Sequence, residues 1–173
     1  RFISNIGDSR AIVIKEMKCN FWTCQQLSRD HKPLEKDESS RIYRCGGEIQ
    51  KMEDDQGGWI GPLRVWVKNG EGPGLAMTRS FGDILGSSIG VICVPEINEY
   101  TIKKEDKAII IASDGLWEFI SNKETTNIVK KAFNKKEPNR IVNQLYKESY
   151  KKWKNKDKQV DDITIICIVL NNV

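Results

Sequence analysis

Two short apolar runs, each bounded by acidic residues, constrain this chain more than any other feature. Ala108-Ile109-Ile110-Ile111-Ala112-Ser113 runs straight into Asp114-Gly115, and Asp161-Asp162 stands at the opening of Ile163-Thr164-Ile165-Ile166-Cys167-Ile168-Val169-Leu170. Both runs are strand-sized, rich in β-branched residues and flanked by polar ones, so both read as buried strands. Lying antiparallel in one sheet, they would bring the end of the first and the start of the second to one edge. The carboxylates of Asp114 and Asp161 would then meet there. Oxygen ligands gathered without nearby histidine or cysteine suit a hard divalent cation such as Mg²⁺ or Mn²⁺.

The length of 173 residues supports one domain with a real core rather than two. No apolar stretch approaches the roughly 18 residues of a membrane helix, so no membrane partner is expected. The net charge of +4 is concentrated between Lys123 and Lys158, where twelve basic residues face four acidic ones. That stretch carries helical periodicity and lacks repeating aromatics, so it reads as a solvated helix face and not as a nucleic-acid site. Cys19, Cys24, Cys45, Cys93 and Cys167 show no CxxC spacing, and an odd, sparse set argues for reduced thiols and an intracellular address, cytoplasmic or nuclear. The chain opens on Arg1 and Phe2 to Ile6, already strand-like, and so reads as a piece of a longer protein.

Along the chain, Phe2–Ile6 and Ala11–Lys15 are strand-like and joined by the turn-rich Gly7-Asp8-Ser9-Arg10, which predicts a hairpin. Phe21–Leu27 reads as a third strand. From Ser28 to Gly74 charges, glycines and prolines crowd together. A short helix fits Lys36–Cys45, and the rest reads as an irregular flap, at about residues 35–75. Ser121-Asn122-Lys123-Glu124 has the capping-box pattern and opens a helix to about Phe133. Pro138 suits the first turn of a second helix, with Ile141, Leu145, Ser149 and Val142, Tyr146, Trp153 as its buried stripe. Asn155–Gln159 reads as a polar linker to the last strand.

The motifs come in a definite order: Gly7-Asp8-Ser9-Arg10-Ala11, Asp30-His31-Lys32-Pro33, Arg41-Ile42, Gly46-Gly47, Met77-Thr78-Arg79-Ser80-Phe81-Gly82-Asp83, Pro95-Glu96-Ile97, Ala112-Ser113-Asp114-Gly115-Leu116-Trp117 and Asp161-Asp162-Ile163-Thr164. This series resembles the C-terminal portion of the catalytic domain of the protein phosphatase 2C family, the metal-dependent serine/threonine phosphatases, over nearly the whole chain. The resemblance implies an α+β fold, two antiparallel β-sheets packed as a sandwich and flanked by antiparallel helix pairs. Residues 1–173 would form the later part of a single such domain, its earlier part missing. It implies hydrolysis of phosphoserine and phosphothreonine in phosphoprotein substrates by a metal-activated water, without a phosphoenzyme, and two or more Mg²⁺ or Mn²⁺ ions in the complete domain.

Carried over by that resemblance, Asp114 and Asp161 are carboxylate ligands of the binuclear centre and act in catalysis through the bound metal. Asp8 and Glu118 are ligands of a further, weaker site. Each has a plainer reading: Asp114 in a strand-ending turn, Asp161 as a solvated strand cap, Asp8 as a hairpin aspartate. Glu118 stands where the family usually has Asp, which displaces its carboxylate by a methylene. Asp162 reads as a strand cap. His31, the lone histidine, belongs to the flap entry and not to catalysis, because the family's catalytic histidine lies upstream. Arg10 reads as a structural ion-pair residue, Arg79 as pairing with an acidic neighbour, and Trp59 and Trp66 as flap residues, either facing substrate or anchoring the loop. Without the upstream ligands the chain alone is expected to be inactive and to associate with itself or with its missing half. Two other function classes remain beside the enzyme: a pseudophosphatase or regulatory binding module of the same fold, and a Ca²⁺-binding structural domain.

Overall fold

Strong local signals account for most of the elements. The structure is a computed structural model that describes residues 1–68, 72, 74–134, 137–156 and 159–170. In chain order these form β1 (Phe2–Asn5), β2 (Arg10–Met17), β3 (Phe21–Gln26), α1 (Lys36–Arg44), β4 (Glu48–Glu53), β5 (Trp59–Trp66), α2 (Ile84–Ser88) and β6 (Glu96–Glu99). There follow β7 (Asp106–Ala112), α3 (Asp114–Trp117), α4 (Asn122–Ala132), α5 (Pro138–Lys156) and β8 (Ile165–Val169). The fold is α+β, with antiparallel sheets and several helices. The chain divides into two compact units, the first of Arg1–Ser4, Ser9–Arg29 and the residues from Ile97 onward, the second of Asn5–Asp8 and Asp30–Glu96.

The first unit is built on a four-stranded sheet in the order β3-β2-β7-β8, antiparallel throughout. Side chains alternate across a strand, and here the alternation separates two cores. Ile12, Ile14, Ile110 and Ala112 face the helices and pack with Leu116, Trp117, Ile120, Val129, Ala132, Ile141 and Leu145. Ala11 and Val13 face the other way and pack with Leu27, Tyr100, Ile3 and Ile109. Each fully buried isoleucine is worth about 1.5–3 kcal/mol relative to exposure. Helix α4 starts where the capping box predicts, with Ser121 as cap and Glu124 returning the bond. Helix α5 opens at Pro138 and buries Ile141, Leu145, Ser149 and Trp153.

Three sequence expectations for this unit are corrected. Tyr146 is exposed and stacks on Tyr150 at 5.9 Å, because the stripe through Ile141, Leu145 and Ser149 already fills the surface turned to the core. Helix α5 continues to Lys156, so the linker begins later than Asn155. Strand β1 does not form a hairpin with β2; it pairs with β6. The polar groups of the intervening turn are claimed elsewhere. The Gly7 N–H donates to His31 Nδ1 (3.1 Å), the His31 N–H donates to the Gly7 carbonyl (3.0 Å), and Lys32 pairs with Asp8. Gly7 holds φ at +92° to do this, a conformation costly for any residue with a Cβ.

In the second unit the stretch read as irregular flap contains a β-hairpin, β4 with β5. Its turn is closed by Asp54, whose Oδ1 accepts from the N–H groups of Gln56 (2.9 Å) and Gly58 (2.6 Å). The hairpin escapes a period-two reading because its register shifts between Gln50 and Met52, and Gly61-Pro62 falls beside that irregularity. Ile42, Val65, Ile89 and Val91 form its core. Trp66 lies where a Cβ on Gly74 would meet its ring at 2.8 Å, so it packs directly on that glycine, whereas Trp59 is exposed.

Glu38, fully buried, ties this unit together. It accepts from Arg41 (2.9 and 2.5 Å), from Arg79 Nη2 (2.6 Å) and from Thr78 Oγ1 (2.5 Å). The two arginines also donate to the carbonyls of Gly90 and Val94, so one carboxylate fixes α1 against the segment from Thr78 to Val94. Burial alone would raise the Glu38 pKa. The hydrogen bonds from Arg41, Arg79 and Thr78 outweigh it and hold the carboxyl well below the usual range.

Replacing Glu38 by Gln leaves two largely buried guanidinium groups without a counter-charge and is expected to cost on the order of 3 kcal/mol. A depressed folded pKa contributes stability above the unfolded value of about 4.3 and loses it as pH falls toward the folded value. Urea unfolding of wild type and variant should therefore differ most near neutral pH and converge in acid. A gap that stayed constant with pH would show that the charge is not what matters.

Candidate functional site

The antiparallel register of β7 and β8 ends at Ala112 opposite Ile165, and backbone pairing continues one step beyond both strands. The Ser113 N–H donates to the Thr164 carbonyl (3.1 Å) and the Thr164 N–H donates to Ser113 Oγ (3.1 Å). That hydroxyl in turn donates to the Asp162 carbonyl (3.1 Å). The residue after Ser113 and the residues before Thr164 thus lie at one end of the sheet, as the two apolar runs predict.

The approach there is close. A Cβ on Gly115 would sit 2.2 Å from the Asp162 carbonyl oxygen, so only glycine admits this packing. Asp114 opens the short helix α3, which is locked from behind by three buried bonds. The Trp117 indole N–H donates to the Ala112 carbonyl (2.9 Å). Ser149 Oγ (2.7 Å) and the Trp153 indole N–H (2.6 Å) both donate to the Gly115 carbonyl. Asp114 is half-buried, whereas Asp161, Asp162 and Glu118 are exposed. The Asp162 N–H donates to Asp161 Oδ1 (2.8 Å), which orients that carboxylate locally. Glu118 follows one helical turn after Asp114, its N–H donating to the Asp114 carbonyl (2.8 Å).

Asp8 belongs to the second unit, buried and balanced by Lys32. His31 is fully buried, with Nδ1 accepting from Gly7 and Nε2 3.7 Å from Glu96. Arg79 is engaged by Glu38. In the first unit, Arg10 donates to Asn122 Oδ1 (2.8 Å) and lies 5.1 Å above the Trp117 ring. Among the described residues no three histidine, cysteine, aspartate or glutamate side chains are gathered as a cage for an ion.

Sequence reasoning missed the positioning residues Ser149 and Trp153. Both sat in the apolar stripe of α5, and only their hydrogen-bonding heads distinguish them from core filler. A serine and a tryptophan four apart inside a buried stripe are the available signal, because a buried hydroxyl or indole N–H demands a partner.

The family model for protein phosphatase 2C matches residues 2–157. Probable protein phosphatase 2C 73 of Arabidopsis thaliana is 35% identical over 173 residues, covering 99% of this chain and 44% of that protein. Probable protein phosphatase 2C 52 of the same plant is 38% identical over 173 residues, covering 98% and 35%. A crystal structure of serine-threonine phosphatase 2C from Toxoplasma gondii has a TM-score of 0.78 at 23% identity, covering 97% of this chain and 54% of its own. A C. elegans sex-determining protein reaches 0.75 at 20%, covering 99% and 37%; these two likenesses show the fold. This chain belongs to the protein phosphatase 2C family. It spans less than half the length of the two Arabidopsis relatives.

Gly115→Ala tests the close approach with a decisive sign. In an unobstructed helix the change stabilises by about 0.5–1 kcal/mol; here overpacking against Asp162 should destabilise by about 1–3 kcal/mol. Urea unfolding reads the sign, and hydrogen exchange at the Ser113 and Thr164 amides should quicken. A stabilised variant would mean that the backbone yields easily there.

Proposed function

We propose that this chain is the C-terminal part of a metal-dependent phosphatase domain that removes phosphate from phosphoserine and phosphothreonine in proteins. Asp114 and Asp161 are its carboxylate ligands for Mg²⁺ or Mn²⁺. The observation that carries the reading is the contact of Gly115 with Asp162, which leaves no side chain between the two backbone segments that bear these residues. The groups named at that sheet end (Asp114, Asp161, Asp162, Ser113 and Thr164) offer oxygen donors only, the chemistry that suits a hard divalent cation.

Bound divalent ions supply a water that deprotonates near neutral pH and positive charge for the phosphoryl oxygens. The chain's own contribution is to hold the ligands still. Ser113 spans the two segments, and Ser149, Trp117 and Trp153 pin the turn that carries Asp114, so the backbone beneath that carboxylate is held in place. Asp8 and Glu118 are each proposed as a weaker metal ligand. An ion at Asp8 competes with Lys32 for that carboxylate. The remaining ligands and the groups that grip phosphate are proposed to lie outside these 173 residues, which span less than half the length of the two Arabidopsis relatives.

In the protein that contains this chain, Asp114→Asn is expected to lower metal-dependent hydrolysis of a phosphopeptide at least about 100-fold, the upper range for losing a ligand's support, and to weaken Mn²⁺ binding by calorimetry. The melting temperature should not fall, because on this reading neutralising one of two ligand carboxylates relieves their mutual repulsion. Full turnover in the variant would sink the assignment. An unaltered protein that binds Mn²⁺ yet turns over nothing would instead point to a pseudophosphatase.

The 173-residue chain alone is expected to show no metal-dependent turnover, even with millimolar Mn²⁺. Asp114 and Asp161 hold at best a loosely bound, well-hydrated ion and cannot by themselves form a two-metal clamp. Steady turnover by a homogeneous sample, lost on Asp114→Asn, would mean that upstream residues are dispensable.

A further inference from the structure

Helices α4 and α5 enclose a groove of about 400 Å³ with a mixed lining: Ile120, Ile128 and Ala132 beneath, Lys131, Arg140 and Lys152 among the residues around it. We propose that this groove docks an acidic segment of a partner protein, one apolar side chain seated on Ile128 and Ala132 with carboxylates beside Lys131 and Arg140.

The charges along the groove are sorted. At one end Lys152 binds Glu124 (2.6 Å) and the Phe119 carbonyl (2.8 Å). The Lys152 ammonium and the Ser121 N–H hold the Glu124 carboxyl down to about 2. Glu148 accepts from Gln144 (3.1 Å). That end is internally satisfied. Because α4 and α5 are joined by a short connection after Ala132, Lys131 and Arg140 flank the opposite end. Both are exposed, and neither side chain has a hydrogen bond or ion pair among the described residues. An anionic partner therefore finds two unengaged cations beside an apolar floor, inside a stretch of twelve basic and four acidic residues.

The same sorting selects the occupant. A continuous polyanion would have to pass Glu124 and Glu148, whereas a peptide with carboxylates at one end only need not. No lining residue is aromatic, so single-stranded nucleic acid has no stacking platform in the groove. Ile128, half-buried on the groove floor, gives a leucine-sized side chain an apolar contact beside the two cations.

The test is fluorescence anisotropy on the full chain at low ionic strength, with a short labelled peptide carrying one leucine flanked by aspartates and glutamates. Saturable binding is expected. It should weaken at least about tenfold in Lys131→Glu/Arg140→Glu and less than about twofold in Lys147→Glu/Lys151→Glu, which changes the charge equally outside the groove lining. All four positions are exposed, so both variants should retain the wild-type circular dichroism and melting curve. Replacing the leucine by asparagine should weaken binding at least about fivefold. Each of four results would overturn the proposal: no saturable binding by wild type, equal loss in the two variants, unchanged affinity without the leucine, or tighter binding of an oligothymidylate than of the peptide.

Discussion

Strand β7 is hydrogen-bonded along both edges, to β2 on one side and β8 on the other, and its two faces belong to two different cores. A strand paired along both edges, with Ile110 and Ala112 on one face and Ile109 on the other, resists sliding, since a one-residue slip would exchange its two faces. The first unit takes its reference from that strand. The capped helices pack on one face, the small β1–β6 sheet reaches the other through Ile3, and the backbone that leaves β7 at Ser113 has a single direction available.

That rigidity anchors the half of the candidate site that Asp114 carries, whereas Asp161 lies in the irregular segment that leads into β8. Functional groups held on regular elements are positioned more accurately than those on free loops. The turn after β7 is held from the sheet by Ser113, from the core by Trp117 and from the outer helix by Ser149 and Trp153. In the second unit the corresponding role falls to one ion cluster. Glu38 is worth little as an isolated contact, because desolvation opposes the attraction. Its value is geometric: a single carboxylate meets donors from Arg41, Thr78 and Arg79, which the chain would otherwise leave apart.

Much of this was legible in the residues, and the exceptions have specific causes. The runs at Ala108 and Ile163 announced their pairing through length and β-branching, and Ser121 with Glu124 announced a helix start. The resemblance to the phosphatase family rested on eight short motifs in order, and the family match over residues 2–157 agrees with it. The β4–β5 hairpin was not legible, because a bulge at Gln50–Met52 breaks the alternation and Pro62 argues against a strand. The expected hairpin at Gly7–Arg10 failed because turn residues state that the chain bends, not which partner it then meets. His31 and Lys32, well over twenty positions away, supplied that partner. Asp114 and Asp161 were nameable because each flanks an apolar run in the sequence, whereas the support from Ser149 depends on which way a helix faces.

The ladder between β7 and β8 joins segments separated by the whole of α3, α4 and α5. Closing so long a loop is entropically unfavourable until neighbouring contacts have already drawn the ends together. The helix hairpin can form from nearby residues and settle on β2 and β7 first. The approach of Asp162 to Gly115 needs β8 in its place beside β7. The geometry at this sheet end thus depends on a contact of high sequence separation, and a chain without β8 would keep the α4–α5 pair yet lose the partner that sets Asp162 against Gly115.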